Sequence, residues 1–351
     1  MMSFRDQWLT KFSIPSGAVW LMTDIARCQG RQDLFTKQSP QTLNALREMA
    51  LIQSAESSNR IEGVTVDPER LRPLVLGASR PRDRSEEEVF GYRQALNLIH
   101  AEGKALLFTP ALLRKLLQLI QEGAGDAGQW KKVDNEIIEA RSGQPPLIRF
   151  KPVSVAHTRQ AVEELCLAYQ HSVEQGEHHP LLRVAAFIFD FLCIHPFRDG
   201  NGRVSRLLTL AGLYHNDFEV GRYISLERLV EESKEDYYRV LHESSLHWHT
   251  AQHDFVPWFS YFLSILRRAY REFEDRAKQA VSTRGSKTAL VLGAIEGMKK
   301  EKFTLGQLEH NCPGVSKDMV RRVVRSLQSK RRLKSLGRGP GALWQKVDNK
   351  Q

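Results

Sequence analysis

The chain has 351 residues, of which 41% are hydrophobic and 26% charged, and its formal net charge is +10. This length exceeds the usual size of one domain and is enough to bury a large core, so it predicts two domains. No long uncharged apolar run occurs and no signal-peptide pattern follows Met1, which argues against a membrane-spanning or secreted protein.

The first strong helical pattern begins at Ser39 and Pro40, which supply a cap and a first-turn proline. Apolar residues follow at helical spacing, and Glu62 lies near the expected end of this helix, directly before Gly63. Spacing alone favours a surface glutamate in front of a C-cap glycine.

More helices are predicted after a loop at 77–84. A capping box at Ser85 to Glu88 opens a helix that continues past Ile99, and helical spacing recurs at 110–122 and 155–170. The region before the motif described below is therefore expected to be almost entirely helical.

A β-hairpin interrupts the helices at about 130–152. Val133, Ile137 and Ile138 stand before a Ser142-Gly143 turn signal, and a second apolar run from Leu147 to Phe150 follows it.

The segment from Leu181 to Ile194 is apolar on nearly every face, which predicts a helix buried all round. It contains Arg183 and Asp190 and is too short to span a bilayer. His195 follows directly, so it is expected to emerge from a rigid core.

A glycine-framed turn then precedes another helix. Gly200-Asn201-Gly202 lies where helical apolar spacing begins, and free backbone N–H groups at a helix N-terminus attract anions. Arg203 and Arg206 share one face of that helix. The residues thus predict a polyphosphate site with a base beside it.

The string from His195 to Arg206 resembles the HxFx(D/E)GNGRxxR signature of the Fic (Fic/Doc-type) family. The match holds at every fixed position: His195, Phe197, Asp199, Gly200, Asn201, Gly202, Arg203 and Arg206. The resemblance implies a mainly α fold with a β-hairpin flap. It also implies transfer of AMP from ATP to a protein hydroxyl.

The resemblance also implies roles. His195 would be the general base, Phe197 the apolar anchor of the loop and Asp199 the Mg²⁺ ligand. Gly200, Asn201 and Gly202 would cradle the α- and β-phosphates of ATP. Arg203 would help to hold the β-phosphate, and Arg206 would orient the γ-phosphate.

The residue types suit this chemistry without the resemblance. Transfer of a phosphoryl-type group depends on positioning and charge neutralisation, so it needs Mg²⁺, donors around the oxygens and a base near the hydroxyl. Histidine is largely neutral near pH 7 and suits the base. A carboxylate such as Asp199 suits Mg²⁺.

Ser58 to Gly63 resembles the inhibitory (S/T)xxxE(G/N) motif of many Fic proteins. The resemblance implies that Glu62 pairs with Arg206 and so excludes the γ-phosphate. An Arg–carboxylate pair occupies the donors that a phosphate would use.

Two further parts resemble the family. The hairpin is similar to the flap that docks the target protein by strand addition, and the helix around Glu235 is similar to the one that lines the adenine pocket. Tyr238 and Ser245 are the candidates for nucleotide contact on that helix.

The cysteines show no CxxC spacing. Cys166 and Cys193 lie in apolar helical contexts and are interpreted as reduced core thiols, which predicts a cytoplasmic protein.

A long helix is predicted from Val256 to Arg276, followed by a break at Ser282-Thr-Arg-Gly285. The predicted organisation is an N-terminal helical region at 1–84, a Fic core at 85–281 and a basic domain at 282–351. Residues 281–351 contain 16 Lys/Arg and 5 Asp/Glu, so this last domain carries essentially all of the excess positive charge.

Three short helical patterns and a β-ribbon in this basic domain resemble a winged helix. Its third helix places Lys317, Arg321, Arg322 and Arg325 outward, as a recognition helix for DNA would. Winged helices also serve in dimerisation and protein docking, so both functions stay open.

Three functions therefore fit the sequence. The first is an autoinhibited protein adenylyltransferase that uses ATP and Mg²⁺, modifies a Ser, Thr or Tyr hydroxyl of a target or of itself, and releases pyrophosphate. The second is a nucleotide-sensing, DNA-binding regulator, and the third is a Fic enzyme of another phosphotransfer or de-AMPylation chemistry. The sequence leaves open whether the chain forms a homodimer.

Overall fold

Helices predominate in the computed structural model, and its strands form two small antiparallel sheets. The predicted mainly α fold is thus confirmed. No helix in the described part of the chain is long and apolar enough to cross a membrane. The residues that the structure describes are 2–5, 7–36, 40–141, 144–297, 302–310, 312, 315–337 and 342–347.

The chain forms two compact units, Met1–Glu274 and Asp275–Gln351. In the first unit, the helices before residue 84 share one hydrophobic core with the helices that follow. Its α-helices are α1 (Trp8–Lys11), α2 (Ser16–Thr36), α3 (Pro40–Ile61), α4 (Pro68–Val75), α5 (Arg84–Glu102), α6 (Pro110–Ile120), α7 (Val155–Gln175), α8 (Pro180–Ile194), α9 (Asn201–His215), α10 (Leu226–Glu232) and α11 (Lys234–Ser245).

The start of α5 differs from the prediction. Its N-cap is Asp83, whose Oδ1 accepts a hydrogen bond of 2.9 Å from the backbone N–H of Glu86. The capping box predicted at Ser85 is therefore wrong. Asp is as good an N-cap as Ser, and the aspartate two residues earlier takes the position.

The predicted hairpin is present as β1 (Ile137–Arg141) and β2 (Gln144–Phe150), which pair antiparallel with Ile138 opposite Ile148. The turn signal at 142–143 lies outside the described residues. The first part of the predicted hairpin, from Trp130 to Glu136, is not a strand. Trp130 instead stacks on Phe197, with ring centroids 5.1 Å apart.

Helix α8 is buried on all sides, as predicted, and packs between α7 and α9. Its two charged residues form hydrogen bonds inside the protein. Arg183 donates to the carbonyl of His178 at 2.9 Å, and Asp190 accepts from the Trp248 indole at 2.7 Å. A helix fixed in this way holds its C-terminal residue in a defined position.

Helix α12 (Val256–Gly297) begins in the first unit and ends in the second. The break predicted at Ser282 to Gly285 is not observed. One glycine inside a helix costs only about 1 kcal/mol, and the residues on both sides favour the helix, so it continues.

The second unit has its own hydrophobic core, which includes Val320, Val324 and Trp344. Its three-stranded sheet consists of β3 (Lys302–Thr304), β4 (Leu333–Ser335) and β5 (Leu343–Lys346). The order of the strands is β3–β5–β4, and both pairings are antiparallel. The predicted turn at 337–341 falls mostly outside the described residues. The helices that follow α12 in this unit are α13 (Leu305–His310) and α14 (Lys317–Ser329).

Candidate active site

The loop between α8 and α9 is closed by the side chain of Asn201. Its Oδ1 accepts from the backbone N–H of Phe197 at 3.0 Å, and its Nδ2 donates to the carbonyl of the same residue at 2.9 Å. Gly200 caps α9 in the left-handed conformation, with φ +86°. The side chain of Asn201 therefore shapes the loop, and any contact of this residue with phosphate falls to its backbone N–H.

His195 ends α8 in a left-handed conformation, with φ +50°. Its ring Nδ1 lies 3.2 Å from the carbonyl oxygen of Leu192. Because a carbonyl only accepts, Nδ1 carries the proton and the lone pair is on Nε2. Burial lowers the pKa of His195 to about 4, so the ring is neutral at pH 7.

Lys131 lies buried beneath this loop and was not predicted to matter there. Its backbone N–H donates to the carbonyl of Pro196 at 2.9 Å, and its Nζ donates to Asn135 Oδ1 at 2.9 Å and to the carbonyl of Ile194 at 3.4 Å. Burial lowers the pKa of Lys131 to about 8, and its charge adds to burial in lowering the pKa of His195. A single lysine in a hairpin-like segment gives no sequence signal for this role.

Arg206 is buried on α9 and held by the end of α3. Its Nη2 donates to Glu62 Oε1 at 2.8 Å and to the carbonyl of Ser58 at 2.9 Å, and its Nε donates to Ser58 Oγ at 2.8 Å. Burial, the largest single influence, lowers the pKa of Arg206, but the charge and hydrogen bond of Glu62 together with the nearby phenols of Tyr237 and Tyr92 outweigh it and raise the pKa. The structure thus brings together Glu62 and Arg206, the pair that the resemblance to the inhibitory motif implies, and adds Ser58 as a further partner of Arg206.

Gly202 allows Glu62 to reach this position. A Cβ atom on Gly202 would lie 2.3 Å from Glu62 Oε1 and 3.1 Å from Arg206 Nη1. Only glycine therefore leaves room for the carboxylate against the turn. Gly63, with φ +85°, ends the helical segment that presents Glu62.

Arg203 is 1% exposed and makes contacts that the sequence did not indicate. It pairs with Glu88 of α5 through Nη1, and its Nη2 donates to Asp199 Oδ2 at 2.8 Å. Asn59 Oδ1 lies 3.4 Å from its Nη1. Arg203 therefore orients Asp199 in this structure, and Glu88 holds Arg203.

Asp199 fits the predicted Mg²⁺ ligand by its chemistry. Its side chain is 58% exposed, and its Oδ2 also accepts from Gln121 Nε2 at 3.2 Å. Within the described ranges, no group of three or more His, Cys, Asp or Glu side chains is placed to hold a metal. Mg²⁺ is commonly bound by one or two carboxylates together with substrate phosphates and water, so a single oriented carboxylate suits it.

A cavity of about 780 Å³ opens over these residues. It is large enough for a nucleotide-sized ligand. The flap closes one side of it with Ile137 and Phe150, and α11 closes another. The predicted site residues that line it are Glu62, His195, Gly202, Arg206, Tyr238 and Ser245.

Asp199 is among the predicted site residues that do not line that cavity. Asp199 lines a neighbouring cavity of about 610 Å³ together with Glu88 and Gln121.

On α11, Tyr238 is 45% exposed, and the hydroxyl of Ser245 donates to the carbonyl of His242 at 2.9 Å. His242 and Tyr237 also line the main cavity and were not among the predicted residues.

Comparison with known proteins identifies the domain around this site. Residues 107–213 match the model of the Fic/DOC family. A Fic family protein from Desulfovibrio desulfuricans G20 has a similar structure, with a TM-score of 0.62 and 22% identity over 97% of this chain and 98% of that one. A Fic domain containing signaling protein from Bacteroides thetaiotaomicron VPI-5482 gives a TM-score of 0.59 and 21% identity over 75% of this chain and 98% of that one. At these identities the likeness shows the fold.

Proposed function

We propose that the Fic/DOC family domain at residues 107–213 makes this chain a protein adenylyltransferase, which transfers AMP from ATP to a Ser, Thr or Tyr hydroxyl of a protein. One observation carries the proposal. The imidazole of His195, with its proton fixed on Nδ1, faces the same cavity as Arg206 and Gly202. A positioned base beside a cationic, glycine-framed turn is what transfer from a polyphosphate needs.

In the proposed reaction, His195 Nε2 accepts the proton of the target hydroxyl. The hydroxyl oxygen forms a bond to the α-phosphorus, the bond from that phosphorus to the oxygen bridging to the β-phosphate breaks, and pyrophosphate leaves. Bound Mg²⁺ would neutralise charge on the phosphates. Asp199 would hold it, and Arg203 keeps Asp199 oriented.

The phosphates would lie along the turn from Gly200 to Gly202, at the N-terminus of α9. Arg206 Nη1 is buried and has no hydrogen-bond partner among the described residues, and it lies beside Gly202. A buried unpaired donor costs free energy, and a phosphate oxygen at this position would satisfy it. Glu62 contacts the adjacent Nη2, so we propose that it competes with the γ-phosphate.

The target protein would dock along the flap. The cross-strand pair of Ile138 and Ile148 is exposed, at 58% and 44%. An extended segment that adds to this hairpin would place a hydroxyl near His195 through main-chain bonds, with little demand on its sequence.

Incubation of a cell lysate with ATP and the Glu62→Gly protein tests the proposed function. Mass spectrometry is expected to find proteins whose Ser, Thr or Tyr side chains carry an added adenylyl group. Addition of a phosphoryl group, or removal of existing adenylyl groups, would replace the proposal with another chemistry of the same domain.

For the Glu62→Gly protein, kcat/KM is not expected to fall near pH 6.5, where an ordinary histidine base would become protonated. Burial lowers the pKa of His195 from 6.5 to about 4, so Nε2 stays unprotonated as the pH falls from 8 to about 5.5. The value of kcat/KM should be lost only as the pH falls toward 4. Lys131→Met removes a positive charge that lowers this pKa and should move the limb to higher pH. A limb centred near pH 6.5 in the Glu62→Gly protein would contradict this assignment.

A second function, binding of duplex DNA, is favoured by the charge of α14 and the residues around it. Residues 315–337 contain eight Lys/Arg and one acidic residue, Asp318. Arg321, Arg322 and Arg325 are exposed, whereas Val320, Val323 and Val324 are buried in the core of the second unit. We propose that this face binds the phosphate backbone, because clustered cations on one helix face suit it.

Gel mobility shifts on duplex DNA at several salt concentrations measure this binding. The double variant Arg321→Ala/Arg325→Ala is expected to weaken it and to lower the slope of log affinity against log salt by about 2. Arg72→Ala/Arg159→Ala removes two exposed arginines of the first unit and should leave the slope unchanged. The absence of a mobility shift at low salt would contradict the proposed DNA binding.

A further inference from the structure

A buried polar network lies behind Arg206, on the side away from the proposed phosphates. It contains Ser54 and Ser58 on one face of α3, Tyr92 of α5, and Ser225 and Glu227 at the start of α10. All five side chains are at most 2% exposed. Such a group on three helices is costly to bury unless its members satisfy one another.

Glu227 is the acceptor at the centre of this network. Its Oε1 accepts from the Tyr92 phenol at 3.0 Å, and its Oε2 accepts from Ser54 Oγ at 2.7 Å and from Ser225 Oγ at 3.2 Å. Within the described part of the chain, no lysine or arginine forms an ion pair with it. A buried carboxylate that only hydroxyls satisfy needs a reason beyond packing.

The network connects Glu227 to Arg206. Arg206 Nε donates to Ser58 Oγ at 2.8 Å, the Ser58 hydroxyl interacts with the neighbouring Tyr92 phenol, and that phenol donates to Glu227 Oε1 at 3.0 Å. Arg206 and Glu227 also line the same small cavity of about 50 Å³.

We infer that Glu227 is a positioning residue for Arg206, and that it acts through Tyr92 and Ser58. When Glu62 leaves, Arg206 would otherwise be a buried cation without a carboxylate, which is strongly unfavourable. Glu227 supplies a negative charge that stays, while the hydroxyl chain fixes the direction of the guanidinium. The inference rests on the proposed function only where it makes Arg206 the γ-phosphate ligand.

Arginine side-chain NMR tests the positioning without nucleotide. In the otherwise unaltered full chain, Tyr92→Phe and Glu227→Gln are each expected to speed exchange of the Arg206 Nε proton with water by about tenfold, because the chain that holds it is broken. Arg206→Lys assigns the signal. The matched control is Tyr214→Phe, which removes a buried phenol of α9 that faces His100. An Arg206 signal unchanged in both variants would overturn the inference.

If Glu227 positions Arg206, its loss should weaken binding of the γ-phosphate. Calorimetric titration of the Glu62→Gly protein with ATP and with ADP, in the presence of Mg²⁺, tests this. Tyr92→Phe and Glu227→Gln should each lower the ratio of ATP to ADP affinity by about tenfold and leave ADP affinity within about twofold. Equal losses for both nucleotides, or an unchanged ratio, would show that the network is merely structural. If the Glu62→Gly protein binds no ATP, the proposed function fails, and the NMR result alone decides the inference.

Discussion

Replacing Glu62 with glycine is expected to raise the basal rate of AMP transfer by about 10- to 100-fold. The substitution removes the carboxylate that contacts Arg206 Nη2 at 2.8 Å, and a hydrogen bond between charged groups contributes about 1.5–3 kcal/mol. Glycine also clears the space directly over Gly202. Radiolabelled transfer from ATP, to the protein itself or to proteins of a lysate, measures the change.

Nucleotide binding separates relief of inhibition from a general gain in activity. Because Glu62 occupies donors of the proposed γ-phosphate site, the substitution should increase affinity for ATP and leave affinity for ADP nearly unchanged. Glu56→Gly is a matched control from the same helix, since Glu56 pairs with the half-exposed Arg60 and not with Arg206. Unchanged labelling by a Glu62→Gly protein that binds ATP would refute autoinhibition by this residue.

Much of this site follows from local sequence. The residues from Leu181 to Arg206 specify a buried helix, a left-handed glycine and a helix start, and each of these is local. The meeting of Glu62 with Arg206 joins residues 144 positions apart. Only the resemblance to a known motif could predict that contact, since spacing favoured a surface glutamate.

The supporting residues could not be predicted. Glu88, Lys131 and Glu227 stand in segments whose patterns are those of ordinary helices and loops. Their roles come from packing, which places each one against a carbonyl or a polar side chain far away in sequence. Similarly, Gly285 suggested a break because glycine by itself disfavours a helix. That local preference does not take account of the helical residues on both sides, which continue the helix through Gly285.

Replacing His195 with alanine is expected to abolish transfer, and to do so in the Glu62→Gly background as well. A positioned general base contributes about 100- to 10,000-fold to the rate. Among the described residues that line the cavity, only His195 is a histidine whose Nδ1 proton is held by a carbonyl, which leaves Nε2 free to accept a proton. Binding of ATP needs no base, so affinity for ATP should stay within about threefold of the parent protein. Single-turnover labelling and calorimetric titration measure the two quantities separately.

The pair of results distinguishes an enzyme from a nucleotide sensor. His171→Ala, at an exposed position of α7, is the matched control and should retain full labelling. If the doubly substituted Glu62→Gly/His195→Ala protein still labels its targets, another group takes the proton and the role assigned to His195 is wrong. If the Glu62→Gly and Glu62→Gly/His195→Ala proteins both bind ATP and neither transfers AMP, the domain does not need His195 as a base. The proposed DNA binding by the basic face of α14 would then be the better-supported function. A base whose lone pair faces the cavity is of no use to a sensor, which is why loss of transfer without loss of binding is the expected outcome.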